Sequence, residues 1–116
     1  MISYKELMVW KQSYNFGLEI YKITKNFPQE EKFGLITQLR RASVSIPSNI
    51  AEGSKRSTRK DYRSFLVKAY GSGAEIETQL LYSKDLGYVK ENEFFLLNSQ
   101  LTEIMKMLNV MIRKLE

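Results

Sequence analysis

The chain has 116 residues, a formal net charge of +5, and neither cysteine nor histidine. A chain of this length forms one domain, here 1–116, and buries roughly 60–70% of its unfolded surface. Without cysteine there are no disulfides, thiolate nucleophiles or cysteine-held iron–sulfur clusters. Without histidine the commonest general base, the usual transition-metal ligand and the nucleophile–histidine pairs are gone as well. The opening MISYKELMVWKQ carries charges where a signal peptide has its apolar core, and no apolar run approaches membrane-spanning length. A cytoplasmic location with no membrane partner is expected.

Two prolines, and apolar residues recurring at spacings of three and four, predict helices packed through a seam. The first helix is predicted from about Tyr4 to Lys25, opened by a capping box of Ser3 and Glu6. Its seam runs through Leu7, Trp10, Tyr14, Gly17, Tyr21 and Thr24. NFPQEEKFG interrupts it, with Pro28 placed to open a new helical turn.

The second helix is predicted over about Leu35 to Ala51, with Leu35, Leu39, Ala42, Ile46 and Ile50 as its buried stripe. Pro47 removes a backbone donor and is expected to kink this helix or end it early. Gly53 reads as its C-terminal signal, ahead of the polar connection SKRST.

The third helix is predicted from Arg59 to about Leu86, capped by Ser57 or Thr58, with Tyr62, Leu66, Ala69, Gly73, Ile76 and Leu80 as its stripe. AYGSGAE puts two glycines in mid-helix, each disfavoured by about 1 kcal/mol relative to alanine. Continuity therefore calls for a close approach by another helix. DLGYVKEN turns the chain at Gly87. The fourth helix, about Glu91 to Leu115, has an unbroken seam of Phe94, Leu97, Leu101, Ile104, Leu108, Met111 and Leu115.

Four helices with short connections predict an all-α, antiparallel up-and-down four-helix bundle. Phe95, Met105, Ile112, Ile36 and Phe65 lie beside the seams, where they either thicken the core or cover a subunit interface.

Carboxylates are the only catalytic groups worth weighing. Glu75 and Glu77 are two apart and do not share a helical face. Glu52 lies near the proline, and a magnesium site would have to join it to Asp61. A ferritin-like di-iron site needs Glu-x-x-His pairs, which this chain cannot supply. Gly71 and Gly73 follow no strand and lack the Gly-Lys-Ser/Thr partner of a phosphate loop. Tyr14, Tyr21, Tyr62 and Tyr70 read as packing residues. No enzyme activity, metal or cofactor is expected.

The positive charge belongs to one segment. Residues 1–39 carry five basic and four acidic groups, residues 40–68 eight and two, and residues 69–116 five and seven. The basic groups of the middle segment are Arg40, Arg41, Lys55, Arg56, Arg59, Lys60, Arg63 and Lys68. Such a concentration steers a polyanion toward one surface. Arg40 and Arg41 project about 100° apart on a helix, so they do not share one partner. One of them is expected to pair with Glu52 or another carboxylate.

Arg56, Arg59, Lys60 and Arg63 are the better phosphate candidates. The last three stand at a helix start, where the macrodipole disfavours cations, so something anionic is expected to attract them. A polyanion would serve, and so would a carboxylate of a neighbouring subunit. Beyond Tyr62 no aromatic residue interleaves with the run, so sequence-specific reading of bases is not expected. Carbonyls freed by Pro47 are expected to find donors in Ser43, Ser45 or the Asn49 amide.

YKELMVW, FPQEEKFGLITQLRRASVSIPSNIAEGSKR and SFLVKAYGSGAEIETQLLYSKDLGY, spanning about residues 4–88, resemble the four-helix bundle proteins encoded in intervening sequences of bacterial 23S ribosomal RNA genes (S23 ribosomal protein-like). RRA-x-x-SIP-x-NIAEG is the specific signature. Carried onto this chain it comprises Arg40, Arg41, Ser45, Ile46, Pro47, Asn49, Glu52, Gly53 and Arg56. Gly73 stands where a larger apolar residue is common, and Lys90 where a capping serine is frequent.

The resemblance implies a homo-oligomeric ring, often a pentamer, with no catalytic activity. It also extends to accessory variability determinant proteins of diversity-generating retroelements, basic pentamers thought to bind nucleic acid and a reverse transcriptase. Two functions follow as expectations. One is a ring that binds RNA or DNA through Arg40, Arg41, Lys55, Arg56, Arg59, Lys60 and Arg63 without strong sequence preference. The other is a protein-interaction scaffold or accessory subunit that uses the same groups toward other subunits or an acidic partner.

Overall fold

The computed structural model describes residues 3–116 and is helical throughout, in the order α1 (Met8–Thr24), α2 (Leu35–Ser54), α3 (Arg59–Asp85) and α4 (Glu91–Lys114). Short 3-10 turns, Tyr4–Glu6 and Gln29–Glu31, precede α1 and α2. A 27-residue helix spans about 40 Å, so α3 sets the long dimension of a 43 × 24 × 21 Å molecule. The chain runs up and down, which brings the start of α1, the end of α2, the start of α3 and the end of α4 to one end of the bundle.

Local chemistry accounts for most of the boundaries. Thr58 accepts a hydrogen bond from the Asp61 amide and caps α3. At the other end of α3, Gly87 alone among the described residues has a left-handed backbone, φ 80°. It lets the Tyr88 amide reach the Ser83 carbonyl at 2.8 Å and its own amide reach Lys84 at 3.0 Å, a Schellman closure. Glu93 accepts from the Lys90 amide at 3.0 Å, so the carboxylate half of a capping box holds the start of α4 where serine is absent. Glu31, in the 3-10 turn ahead of α2, accepts from Leu35 N at 3.1 Å at the start of that helix.

Three local expectations are corrected. Ser3 caps the 3-10 turn, accepting from Lys5 N, and α1 begins only after an extended Leu7. Gly53 does not end α2. It lies inside the helix, buried, where a Cβ would stand 2.8 Å from Phe65 Cβ and 3.0 Å from Tyr62 Cδ1. Its role is the close crossing of α2 over α3. Of the two outcomes expected at Pro47, a kink or an early end, the early end does not occur, and the helix continues to Ser54.

Ile46, Ile50, Leu66, Ile76, Leu80, Leu101, Ile104 and Leu108 have no exposed surface and form the centre of the core. The α4 seam lies where its periodicity puts it, with Ile112 also buried. In α1 the seam is displaced. Val9, Ser13, Phe16, Ile20 and Thr24 face inward, whereas Tyr14 and Tyr21 are 49% and 41% exposed. α1 therefore carries two stripes, a mixed one toward the core and an aromatic one outside it. α3 is continuous through its glycines, and Gly73 lies under Met105 of α4 with no room for a Cβ.

The buried hydroxyls of Thr24 and Ser83 donate to carbonyls four residues back, and that of Ser13 to a carbonyl three residues back. Their burial leaves no orphaned donors.

Candidate nucleic-acid interface

The up-and-down topology gathers Lys5, Lys55, Arg56, Arg59, Lys60, Arg63, Arg113 and Lys114 at one end of the bundle, against Glu6, Glu52, Asp61 and Glu116. The opposite end balances Lys25, Lys32, Lys84 and Lys90 with Glu30, Glu31, Asp85, Glu91 and Glu93. Charge is thus polarised along the long axis, a separation hidden in the overall value.

The cations at the basic end fall into two groups. Arg59 donates to the Lys114 carbonyl at 2.6 Å, and Arg63 donates Nε to the Ile112 carbonyl at 3.3 Å. Arg63 also reaches Glu116 at 3.5 Å. These two arginines sit at the unfavourable start of α3 because the end of α4, with its open Lys114 carbonyl and negative dipole, lies beside them. The anionic attraction that the sequence called for is supplied, for these two, within the chain. Arg56 pairs with Glu52 at 3.1 Å on an exposed helical surface and covers the Phe65 ring at 4.7 Å.

Arg41, Lys55, Lys60 and Lys68 form no ion pair among the described residues. Lys60 is exposed at the α3 start. Lys68 rests over Phe65 at 4.5 Å and Lys55 over Tyr4 at 5.8 Å. Arg41 projects to the exposed rim of a polar cleft between α2 and α3, beside Glu75 and Gln79. It is therefore separated from the basic end by several turns.

Arg40 takes neither expected partner. It donates Nε to Thr24 Oγ1 at 2.9 Å and lies over the Tyr21 ring at 4.6 Å, joining α2 to α1 without a carboxylate. Glu52 is already held by Arg56.

The remaining signature residues shape the α2 backbone and its contacts. The Ser45 and Ser72 hydroxyls bond at 2.8 Å across the α2–α3 crossing. The Asn49 amide donates to the Ser45 carbonyl at 2.8 Å, two residues before Pro47 and not at the carbonyl that the proline frees. Pro47 itself is buried toward α1. Tyr62, wedged against Gly53, has its phenol pKa raised by burial.

The family model of 23S rRNA-intervening sequence proteins matches residues 5–110. The chain belongs to that family. Among solved structures, this chain is similar to a protein of unknown function from the S23 ribosomal protein family of Bacteroides thetaiotaomicron. The two share 28% identity and superpose with a TM-score of 0.82 over 90% of this chain and 98% of the other. A search of curated proteins gives no match. No helix among the described residues is long and apolar enough to cross a membrane.

One feature of the surface lay outside the sequence reading. Tyr4, Trp10, Tyr14 and Tyr21 line an open groove of about 310 Å³ between α1 and α2, floored by Gly17, Ser43 and Pro47. The signal was present as the second spacing in α1, but there it read as part of the core seam.

Proposed function

We propose that this protein is a non-enzymatic helical bundle that assembles with copies of itself into a ring and binds RNA or DNA through its basic end without strong sequence preference. The observation that carries the reading is the gathering of unpaired Lys55 and Lys60, with Lys68 nearby, around arginines already fixed to the end of α4. The fixed arginines contribute field, and the lysines contribute mobile donors for phosphate oxygens. Repetition around a ring multiplies those contacts and makes binding steeply salt-dependent.

Assembly is supported by the apolar side chains that the single chain leaves in water. Met8, Leu96 and Val110 are 65%, 61% and 51% exposed on the α1–α4 side, and Phe95 is 69% exposed on the outer face of α4. Met8 and Val110 border an apolar cleft of about 340 Å³ with Met107 and Met111. Exposed apolar surface of this kind marks contact with another protein surface.

The second reading is a protein-interaction scaffold or accessory subunit. It is favoured by the engagement of Arg56, Arg59 and Arg63 with oxygens of their own chain. The two readings separate in one comparison. Duplex RNA, structured RNA and DNA are titrated with the wild type and with a Lys55→Gln/Lys60→Gln/Lys68→Gln variant, while light scattering follows the mass. Loss of binding at unchanged mass supports the nucleic-acid reading. Equal binding by both proteins, or none by either, removes the basic end from that role.

A further inference from the structure

The groove between α1 and α2 has the composition of a stacking platform. Trp10 and Tyr14 stack with ring centroids 5.1 Å apart and an interplanar angle of 20°, and Tyr4 meets Trp10 edge-on at 5.5 Å. Beyond Tyr14 the ladder is interrupted above Gly17 and resumes at Tyr21, whose ring carries the Arg40 guanidinium at 4.6 Å. A cation stands at each end of the track, Lys55 over Tyr4 and Arg40 over Tyr21. Neither is matched by a carboxylate among the described ion pairs.

Gly17 adds an independent observation. A Cβ at this mid-helix position would stand 3.8 Å from Ser43 Oγ and 3.9 Å from the Ser43 carbonyl, which is ordinary contact distance. Packing between α1 and α2 therefore does not require glycine, although helix propensity disfavours it there. What the missing side chain provides is depth in the groove between Tyr14 and Tyr21.

We infer that this groove binds single-stranded nucleic acid, with one or two unpaired bases seated over Gly17 between Tyr14 and Tyr21 and the backbone running past Arg40 toward Lys55. The inference rests on the nucleic-acid reading above and names the form of nucleic acid that a second surface of the same molecule takes. Aromatic faces accept any base, and flanking cations hold the phosphates, which is how single strands are bound without sequence readout. From Trp10 to Tyr21 the helix advances about 16 Å, room for a few nucleotides. The track opens at Lys55 onto the basic end, so one strand emerging from a duplex would meet both surfaces in turn.

The chain holds one tryptophan, Trp10, and it lies in the groove. Its emission therefore reports on this surface alone. The full-length protein is titrated with a short fluorescein-labelled oligouridylate and with a blunt-ended, fluorescein-labelled RNA duplex that has no loop, reading label anisotropy and Trp10 emission together. The oligouridylate is expected to quench Trp10 in step with the anisotropy rise, and the duplex to leave Trp10 unchanged. Tyr14→Leu/Tyr21→Leu, changed at exposed positions, is expected to weaken oligouridylate binding roughly five- to a hundredfold. Gly17→Leu, which fills the floor, is expected to weaken it with both rings present. Urea unfolding of each variant establishes that it is folded.

Three results would overturn the inference, each distinguishably. Anisotropy rises for both probes with no change in Trp10 emission and no effect of the variants: nucleic acid binds elsewhere, and the basic end keeps its role. Neither probe binds at low salt: the proposed function fails together with the inference. Trp10 emission follows protein concentration but not oligonucleotide: the groove is occupied by a second copy of the chain.

Discussion

Arg63 of α3 donates its Nε to the carbonyl of Ile112, 3.3 Å away in the last turn of α4, and so ties the start of one helix to the end of another. Arg59 makes the parallel bond to Lys114. The Lys114 carbonyl has no backbone donor at the helix end, the Ile112 carbonyl accepts from the Leu115 amide as well, and both bonds set cations against the negative pole of the dipole.

Replacing Arg63 by Gln should therefore destabilise the protein by about 1 kcal/mol, its partly exposed position limiting the effect. The double Arg59→Gln/Arg63→Gln change should also speed amide exchange in the last turn of α4. Urea unfolding and hydrogen exchange check both. Unchanged exchange at the α4 end would show that the two bonds contribute nothing to holding it.

Three glycines separate by what their Cβ would meet. Gly53→Ala pushes Tyr62 and Phe65, including the Tyr62 carbonyl at 3.3 Å, and should destabilise by about 1–3 kcal/mol. Gly73→Ala meets the flexible Met105 side chain and should cost less. Gly71 has nothing within 4 Å, so Gly71→Ala should stabilise α3 by up to about 1 kcal/mol. Thermal unfolding of the three variants should rank them Gly71→Ala, Gly73→Ala, Gly53→Ala from most to least stable.

Tyr88 gives the protein an alkaline limit. Its hydroxyl donates to Glu31 at 3.1 Å, and its pKa is raised above the usual 10.0 by burial first, then by that bond and the charges of Glu31 and Glu30. In the unfolded chain the proton leaves near pH 10, whereas the folded chain retains it to higher pH. The native state then binds more protons than the unfolded one, and stability falls as pH rises through that window. Tyr62 contributes with the same sign. The urea midpoint should decline above about pH 10, and Tyr88→Phe should make the decline shallower. An identical slope in Tyr88→Phe would exclude Tyr88 as its source.

How much of this was legible in the sequence follows from the range of each interaction. Helices α2, α3 and α4 were readable because Leu39-Ala42-Ile46-Ile50, Leu66-Ala69-Gly73-Ile76 and Leu97-Leu101-Ile104-Leu108 are local periodicities, closed by local signals at Thr58 and Gly87. In α1 two stripes share the same spacing, and Trp10, Tyr14 and Tyr21 are large and apolar enough to pass for core. Only the fit of α2 and α4 against Val9, Phe16 and Ile20 decides between the stripes.

Gly53 was recognisable as special but not as a crossing point, because Phe65 and Tyr62 come from the next helix. The basic run was visible as composition. Its division into arginines held by α4 and lysines without ion-pair partners depends on contacts some 50 residues apart in sequence, which no local pattern carries.

The most direct test of the basic end is the salt dependence of binding. Affinity for a duplex RNA, measured by fluorescence anisotropy across about 50–300 mM salt, should fall linearly in a log–log plot with a slope reporting several phosphate contacts. Lys55→Gln/Lys60→Gln/Lys68→Gln should make that slope shallower while the mass of the assembly stays the same. A slope that is unaffected by the three substitutions, or no binding at the lowest salt by the assembled protein, would contradict the assignment of nucleic-acid binding to this end of the bundle.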